Sequence, residues 1–401
     1  MNFISDLFIQ NTSSTTLLLI SFTIALGLLL GRIRIKGFSF GITNVLFVGI
    51  ILSSLGLLVD QNLIGILKDL GLVLFIFTIG LQVGPSFFAS FRKGGLRLNL
   101  LALAIVILGV MTTVLIGLFS GESLDVLAGV YSGSIGSTPG LSAAQQVISN
   151  IGVGSVDVIA NGFAITYPIG IVGPIVCCIL IRSICKVRIE QEPVQIVEES
   201  NNSSYVAQSK QEHAVGKSLV TLFVGICLGV ALGSVSIPIG LSIPFKLGLA
   251  GGPMIISILM GHFGTKTGII DAAVTSGTHM SMIREFGIVL FLASVGLSAG
   301  DGFIDTICSG GYMWIIYGIA IAMLPVMVVG LFARRHLKVN FYTLMGLTGG
   351  ATTDTPALAY ANSIANDPTN NLPASSYATV YPLTVFMRVL TAQMLVMVAT
   401  I

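Results

Sequence analysis

GGATTDTPALAYAN, residues 349–362, gathers glycines, threonines, an aspartate and a proline between long apolar runs. SGSIGSTPGLSAAQQ, residues 132–146, has the same design. Gly and Pro break helices, and a broken helix inside a bilayer leaves backbone groups that only protein or a water-filled cavity can satisfy. The two stretches therefore raise one question: what does an apolar chain gain from unwinding twice?

The surrounding chain is that of a membrane protein. Of 401 residues, 54% are apolar and 9% charged, and the mean hydropathy is +0.96. Runs such as 16–31, 98–119 and 312–332 approach or exceed the length that crosses a ~30 Å hydrocarbon layer. A net charge of +2 without a basic-aromatic patch gives no reason to expect a nucleic-acid partner. The cysteines at 177, 178, 185, 227 and 308 lack metal-type spacing and read as apolar filler, so no cofactor is expected. The start of the chain shows no cleavage signal, and 16–31 reads as a retained first span.

The apolar material falls into halves around the polar stretch 189–216, so that 1–188 and 217–401 read as two membrane repeats joined by a cytoplasmic linker. LGLVLFIFTIGLQVGPSFF (70–88) matches FGIVLFLASVGLSAGDGFI (286–304), placing Gly71, Gly80 and Gly84 216 residues before Gly287, Gly296 and Gly300. Gly129, Gly133, Thr138 and Pro139 then precede Gly346, Gly350, Thr355 and Pro356 by 217, and Tyr167-Pro168 matches Tyr381-Pro382. In the first half the apolar segments are 16–31, 38–59, 70–91, 98–119, 124–149 and 157–181. Lys and Arg collect in cytoplasmic loops. The clusters at 32–36, 92–97 and 182–188 share a side only if 124–149 fails to cross, as a re-entrant hairpin. Each half then has about five crossing helices plus one broken hairpin, and the odd number inverts the halves. Both termini fall outside; Lys68 and Lys246 are outside, and Arg388 is embedded.

Inverted hairpins would meet near the midplane, where half-helix N-termini attract an anionic group. The candidate site is Gly133, Ser134, Gly136, Ser137, Thr138 and Pro139 on one tip. On the other it is Gly350, Thr352, Thr353, Asp354, Thr355 and Pro356. The aligned Gln145 and Asn362, just past the tips, suit hydrogen bonds to a ligand or the opposite hairpin. Asp354 is either the cap of the helix that follows or a cation or proton site. Arg388 either grips a carboxylate in bidentate fashion or pairs structurally with Asp354 or helix-end carbonyls; the first half has Pro174 at the matching place. Gly80/Gly84 and Gly296/Gly300 have the spacing of close helix packing. His262, His279, Arg284 and Glu285 read as part of a solvated or gating loop. The pattern favours an inverted-repeat transporter of a small organic anion or amino acid. A channel would need a continuous polar stripe and an enzyme a clustered nucleophile and base; a receptor without transport is left to flux measurement.

GSIGSTPGLSAA and GGATTDTPALAYAN, each downstream of an LGLVLFIFTIGLQVGPSFF-type helix, resemble the aspartate:alanine exchanger family over 16–188 and 217–401. The resemblance implies an antiporter of small carboxylates or amino acids in a bacterial inner membrane, homodimeric and moving by an elevator-type mechanism. The alternative is a Na⁺- or H⁺-coupled symporter or exporter of an organic anion. Typical members carry two TrkA-C-like soluble domains where this chain has only its polar linker.

Overall fold

The computed structural model describes residues 13–33, 41–57, 59–91, 95–152, 155–189, 192, 211–237, 245–267, 270, 278–300, 303–365 and 370–399. Among them are fourteen helices of at least eleven residues. Before the linker come α1 (Ser13–Leu30), α2 (Asn44–Ser54), α3 (Gln61–Phe87), α4 (Gly95–Ser120), α5 (Leu124–Ser134), α6 (Thr138–Ile151) and α7 (Val156–Ile184). After it come α8 (Gln211–Ser234), α9 (Gly248–Thr267), α10 (Thr278–Ala299), α11 (Met313–Arg335), α12 (Phe341–Ala351), α13 (Thr355–Ala365) and α14 (Leu372–Ala399). The sole strand pairing among the described residues is a two-residue ladder, Ser236 with Lys246 and Ile237 with Phe245.

Seven of these helices, α1, α3, α4, α7, α10, α11 and α14, are long and apolar enough to cross a membrane. Segments 41–54 and 218–234 are shorter apolar helices. The chain is thus an all-helical, multi-pass membrane protein. Its outer surface agrees: Phe119 is 88% and Leu118 75% exposed, beside Leu115 and Met111 on the same helix. In a bilayer such side chains meet lipid tails, so their exposure carries no penalty.

Local chemistry sets the helix ends. Asp60 opens α3 by accepting from the Asn62 and Leu63 amides at 3.0 and 3.4 Å. Asn340 does the same for α12 through Tyr342, at 2.8 Å. Such caps meet donors that a first turn leaves free.

The material on either side of the linker is interleaved. Helix α3 packs along α9 and α10, and α10 also packs along α2. Glycine makes these approaches possible. A Cβ on Gly71 would lie 2.8 Å from the Gly287 carbonyl, and one on Gly287 2.8 Å from that of Gly71. On Gly84 it would sit 2.9 Å from Gly261 Cα, and on Gly296 3.1 Å from Gly49 Cα. Close packing is therefore the role of the four-residue glycine pairs. Phe75 and Phe291, also 216 residues apart, meet in the centre with ring centroids 5.5 Å apart.

One loop expectation is corrected. His262 lies within α9, and His279, Arg284 and Glu285 lie within α10. Only Ile270 is described between those helices. Arg284 bonds to α3 through Gln82, which holds the start of α10 against the bundle.

Candidate functional site

Each unwound stretch separates two half-helices, α5 from α6 and α12 from α13, through the same hydrogen bonds. At the first, the Gly136 amide donates to Gly133 O at 2.9 Å and the Ser137 amide to Ser132 O at 2.8 Å. At the second, Thr353 donates to Gly350 O at 3.2 Å and Asp354 to Gly349 O at 2.8 Å. Both are the paired closures that end a helix through one left-handed residue. That residue is Gly136 (φ 64°) in one case and Thr353 (φ 55°) in the other. Threonine, β-branched, is strained there.

The next half-helix starts in the same way twice. Ser137 Oγ accepts from the Gly140 amide at 3.1 Å, and the Asp354 carboxylate accepts from the Ala357 amide. Pro139 and Pro356 occupy the first turn, where a missing N–H costs nothing. Asp354 is thus a helix cap. Its second oxygen, Oδ2, is buried and has no partner among the described residues.

Both tips line one cavity of about 380 Å³. Gly136, Ser137, Thr138 and Pro139 form one wall; Thr353, Thr355 and Pro356 form another. Tyr167 and Tyr381 face it from α7 and α14, and Thr43 joins them by donating to the Tyr167 hydroxyl at 2.6 Å. Phe75, Ile79, Ile171, Ile288 and Val385 supply its apolar lining. No Lys or Arg lines it among the described residues. With no lining cation, positive potential at this cavity is left to the half-helix N-termini, of which that of α13 already holds the Asp354 carboxylate, and hydroxyls provide most of the side-chain polarity.

The remaining sequence candidates lie elsewhere. Gly133 and Gly350 sit behind the tips: a Cβ on Gly133 would fall 2.8 Å from Phe163 Cα, and one on Gly350 2.9 Å from Tyr377 O. Ser134 and Thr352 are buried and turn their hydroxyls back to Val130 O and Thr348 O of their own helices. Gln145 lines a different pocket, and Asn362 is exposed.

Arg388 is 1% exposed and does not line the cavity. Its Nη1 donates to the Tyr131 hydroxyl at 2.6 Å and its Nη2 to Ala351 O at 2.9 Å. Tyr131 belongs to α5 and Ala351 ends α12, so one guanidinium ties the two hairpins together. Its carbon also lies 5.4 Å from the Tyr131 ring centre. This is the helix-end pairing considered for it from sequence, with Tyr131 as an added partner.

Sequence reasoning left Tyr167, Tyr381, Thr43, Phe75 and Ile79 out of the site. The two tyrosines carried a signal, since Tyr-Pro recurs in both halves, but it served only to align the repeat. Thr43 carried none.

A family profile described as "Predicted Permease Membrane Region" matches residues 19–183 and 221–397. The chain is 32% identical to an uncharacterized transporter of Bacteroides fragilis, covering 95% of this chain and 96% of that one. It is 31% identical to an uncharacterized transporter of Bacteroides thetaiotaomicron, over 94% and 96%. A Pasteurella multocida protein named for transport is 29% identical over 95% and 98%. The first of these alignments runs to 543 positions against 401 residues here, so that relative carries internal sequence absent from this chain.

Proposed function

We propose that this chain, which belongs to the aspartate–alanine exchanger family of membrane transporters, exchanges small carboxylates or amino acids across a bacterial inner membrane. The observation that carries the reading is the single cavity lined by both helix breaks. A carboxylate there would lie between the N-termini of α6 and α13, with Thr138, Thr355 and the two tyrosines to orient it. The apolar lining would exclude large or highly hydrated solutes.

The two repeats, taken as 1–188 and 217–401, are inverted about this cavity in our reading. Seven helices before the linker recur in order as seven after it, and the basic clusters at 32–36, 92–97 and 182–188 share a side only if 124–149 is re-entrant, which inverts the halves. Alternating access would come from movement of the hairpins against the remaining helices, elevator-fashion, in a homodimer with both termini outside, as the family resemblance implies. Gly133, Ser134, Gly350 and Thr352 would act by packing and hydroxyl-to-backbone bonds behind the tips, and Arg388 by tying the hairpins. Gln145 and Asn362 have no direct part in this cavity.

The free Oδ2 of Asp354 favours a second reading, in which a Na⁺ or H⁺ binds there and drives symport or export. Counterflow in proteoliposomes separates the two. Exchange requires substrate inside the vesicle to draw labelled substrate in, with no ion gradient. Uptake driven by an ion gradient into empty vesicles selects the coupled reading. Thr355→Leu, which replaces a lining hydroxyl with a bulkier apolar group, should sharply reduce either flux; full transport by that variant would overturn the site.

A further inference from the structure

A second pocket, of about 230 Å³, opens where α3 and α7 begin and α6 and α10 end. Its polar lining is Lys68, Gln145, Asp157, Ser298 and Gln61. Gln145 is 2% exposed. Its Nε2 donates to Val156 O at 3.1 Å, while its Oε1 is buried without a partner among the described residues. A buried acceptor left unmet is costly, and such a group in a native fold calls for a ligand, ion or water. Lys68, half-buried, forms no ion pair or hydrogen bond among the described residues. The pocket therefore combines an unmet acceptor with a lysine whose charge, among the described residues, is answered only by Asp69 beside it in the chain, and with Asp157 on its lining.

The matching place in the other half makes the contrast. Lys68, Gly65 and Ser298 correspond, 216 residues away, to Arg284, Ser281 and Gln82. There Arg284 Nη1 donates to Gln82 Oε1 at 2.9 Å and Gln82 Nε2 to Ser281 Oγ at 3.3 Å. The polar groups satisfy one another. At the Lys68 end, Gly65 has no side chain and Ser298 is too short to bridge, so the same positions are left unsatisfied around open space.

We infer that this pocket is a second binding station for a small α-amino acid, an inference that rests on the exchanger reading. The ligand's carboxylate meets Lys68 and its ammonium meets Gln145 Oε1, with the Asp157 charge nearby on the pocket's lining. A plain dicarboxylate fits poorly, because it offers no donor to Gln145 and sets like charge against Asp157.

Aspartate and succinate differ by the ammonium group alone and make the test. Equilibrium binding of each labelled compound is measured on the purified full-length chain in nanodiscs. Two aspartates but one succinate per chain are expected. Lys68→Met or Gln145→Leu should each remove one aspartate while leaving the melting temperature near that of the parent. In proteoliposomes Lys68→Met should raise the aspartate KM by about tenfold, the loss expected for one charged hydrogen bond, and Lys68→Arg should restore it. A single aspartate per chain in the parent overturns the inference, as do two that survive both substitutions or an equal occupancy by succinate. If Thr355→Leu transports normally while Lys68→Met still removes one aspartate, the central-cavity reading falls and this one stands.

Discussion

At the first break a glycine takes the left-handed position and a neutral serine caps α6; at the second a threonine takes it and an aspartate caps α13. The backbone bonds are the same in both. The first break therefore demonstrates that the geometry needs neither strain nor charge. A left-handed non-glycine residue costs about 1–2 kcal/mol, and an acid at membrane depth about 2.5–3.5 kcal/mol on insertion scales. The second break carries both, and its preceding half-helix is also held by Arg388 through Ala351 O. Local costs beyond what the fold requires gather at working sites. On the proposed function, that difference singles out the second tip as the one to test for ligand or ion sensing, with the first tip as its control.

The largest effect should come from cutting the tie between the hairpins. Arg388→Met leaves the Ala351 carbonyl and the Tyr131 hydroxyl short of a donor, at a cost of about 3–6 kcal/mol from two charged hydrogen bonds. The expected result is a lower melting temperature in detergent together with loss of flux. A variant that melts normally and raises only KM would instead put the guanidinium on the substrate.

Exchanging the caps tests the chemistry of the tips more selectively. Asp354→Ser imports the first break's solution and should raise stability by up to about 2.5–3.5 kcal/mol, because the cost of the acid is removed while serine caps nearly as well as aspartate. Flux should nevertheless fall by about 10–100-fold if Oδ2 holds a substrate ammonium, cation or proton. The reciprocal Ser137→Asp should destabilise by about 2.5–3.5 kcal/mol with no gain of transport. Equal flux in the parent and Asp354→Ser would reduce Asp354 to a cap.

Much of this was legible in the sequence because it rests on backbone rules. Gly, Thr and Pro at matched spacing mark a helix that must stop and restart, and the half-helices end and begin within a residue or two of those marks. The paired glycines of α3 and α10 announce close packing. What sequence could not give is direction. Arg388 is an embedded cation by any reading, but only the fold sets it beside a helix-end carbonyl and Tyr131, far away in the chain. Gln145 lies seven residues past Thr138, about two helical turns, which carries it from the tip to another pocket. Arg284 looked like a loop residue because the stretch before it is polar and glycine-rich, yet α10 already includes it.

The smallest and sharpest probe is Thr353→Gly. Glycine relieves the left-handed strain, about 1–2 kcal/mol, and gives back about 0.5–1 kcal/mol through the freedom it adds to the unfolded chain. The net expectation is a stabilisation of about 0.5 kcal/mol, read as a slight rise in melting temperature, with the cap at Asp354 intact. Because Gly136 already occupies the equivalent position, the variant makes the two tips alike in backbone while leaving them different in charge. If transport falls although stability rises, the strain or the Thr353 side chain serves the cavity that it lines. If transport is unchanged, the distinction between the tips rests on Asp354 alone, and the comparison narrows to a single carboxylate.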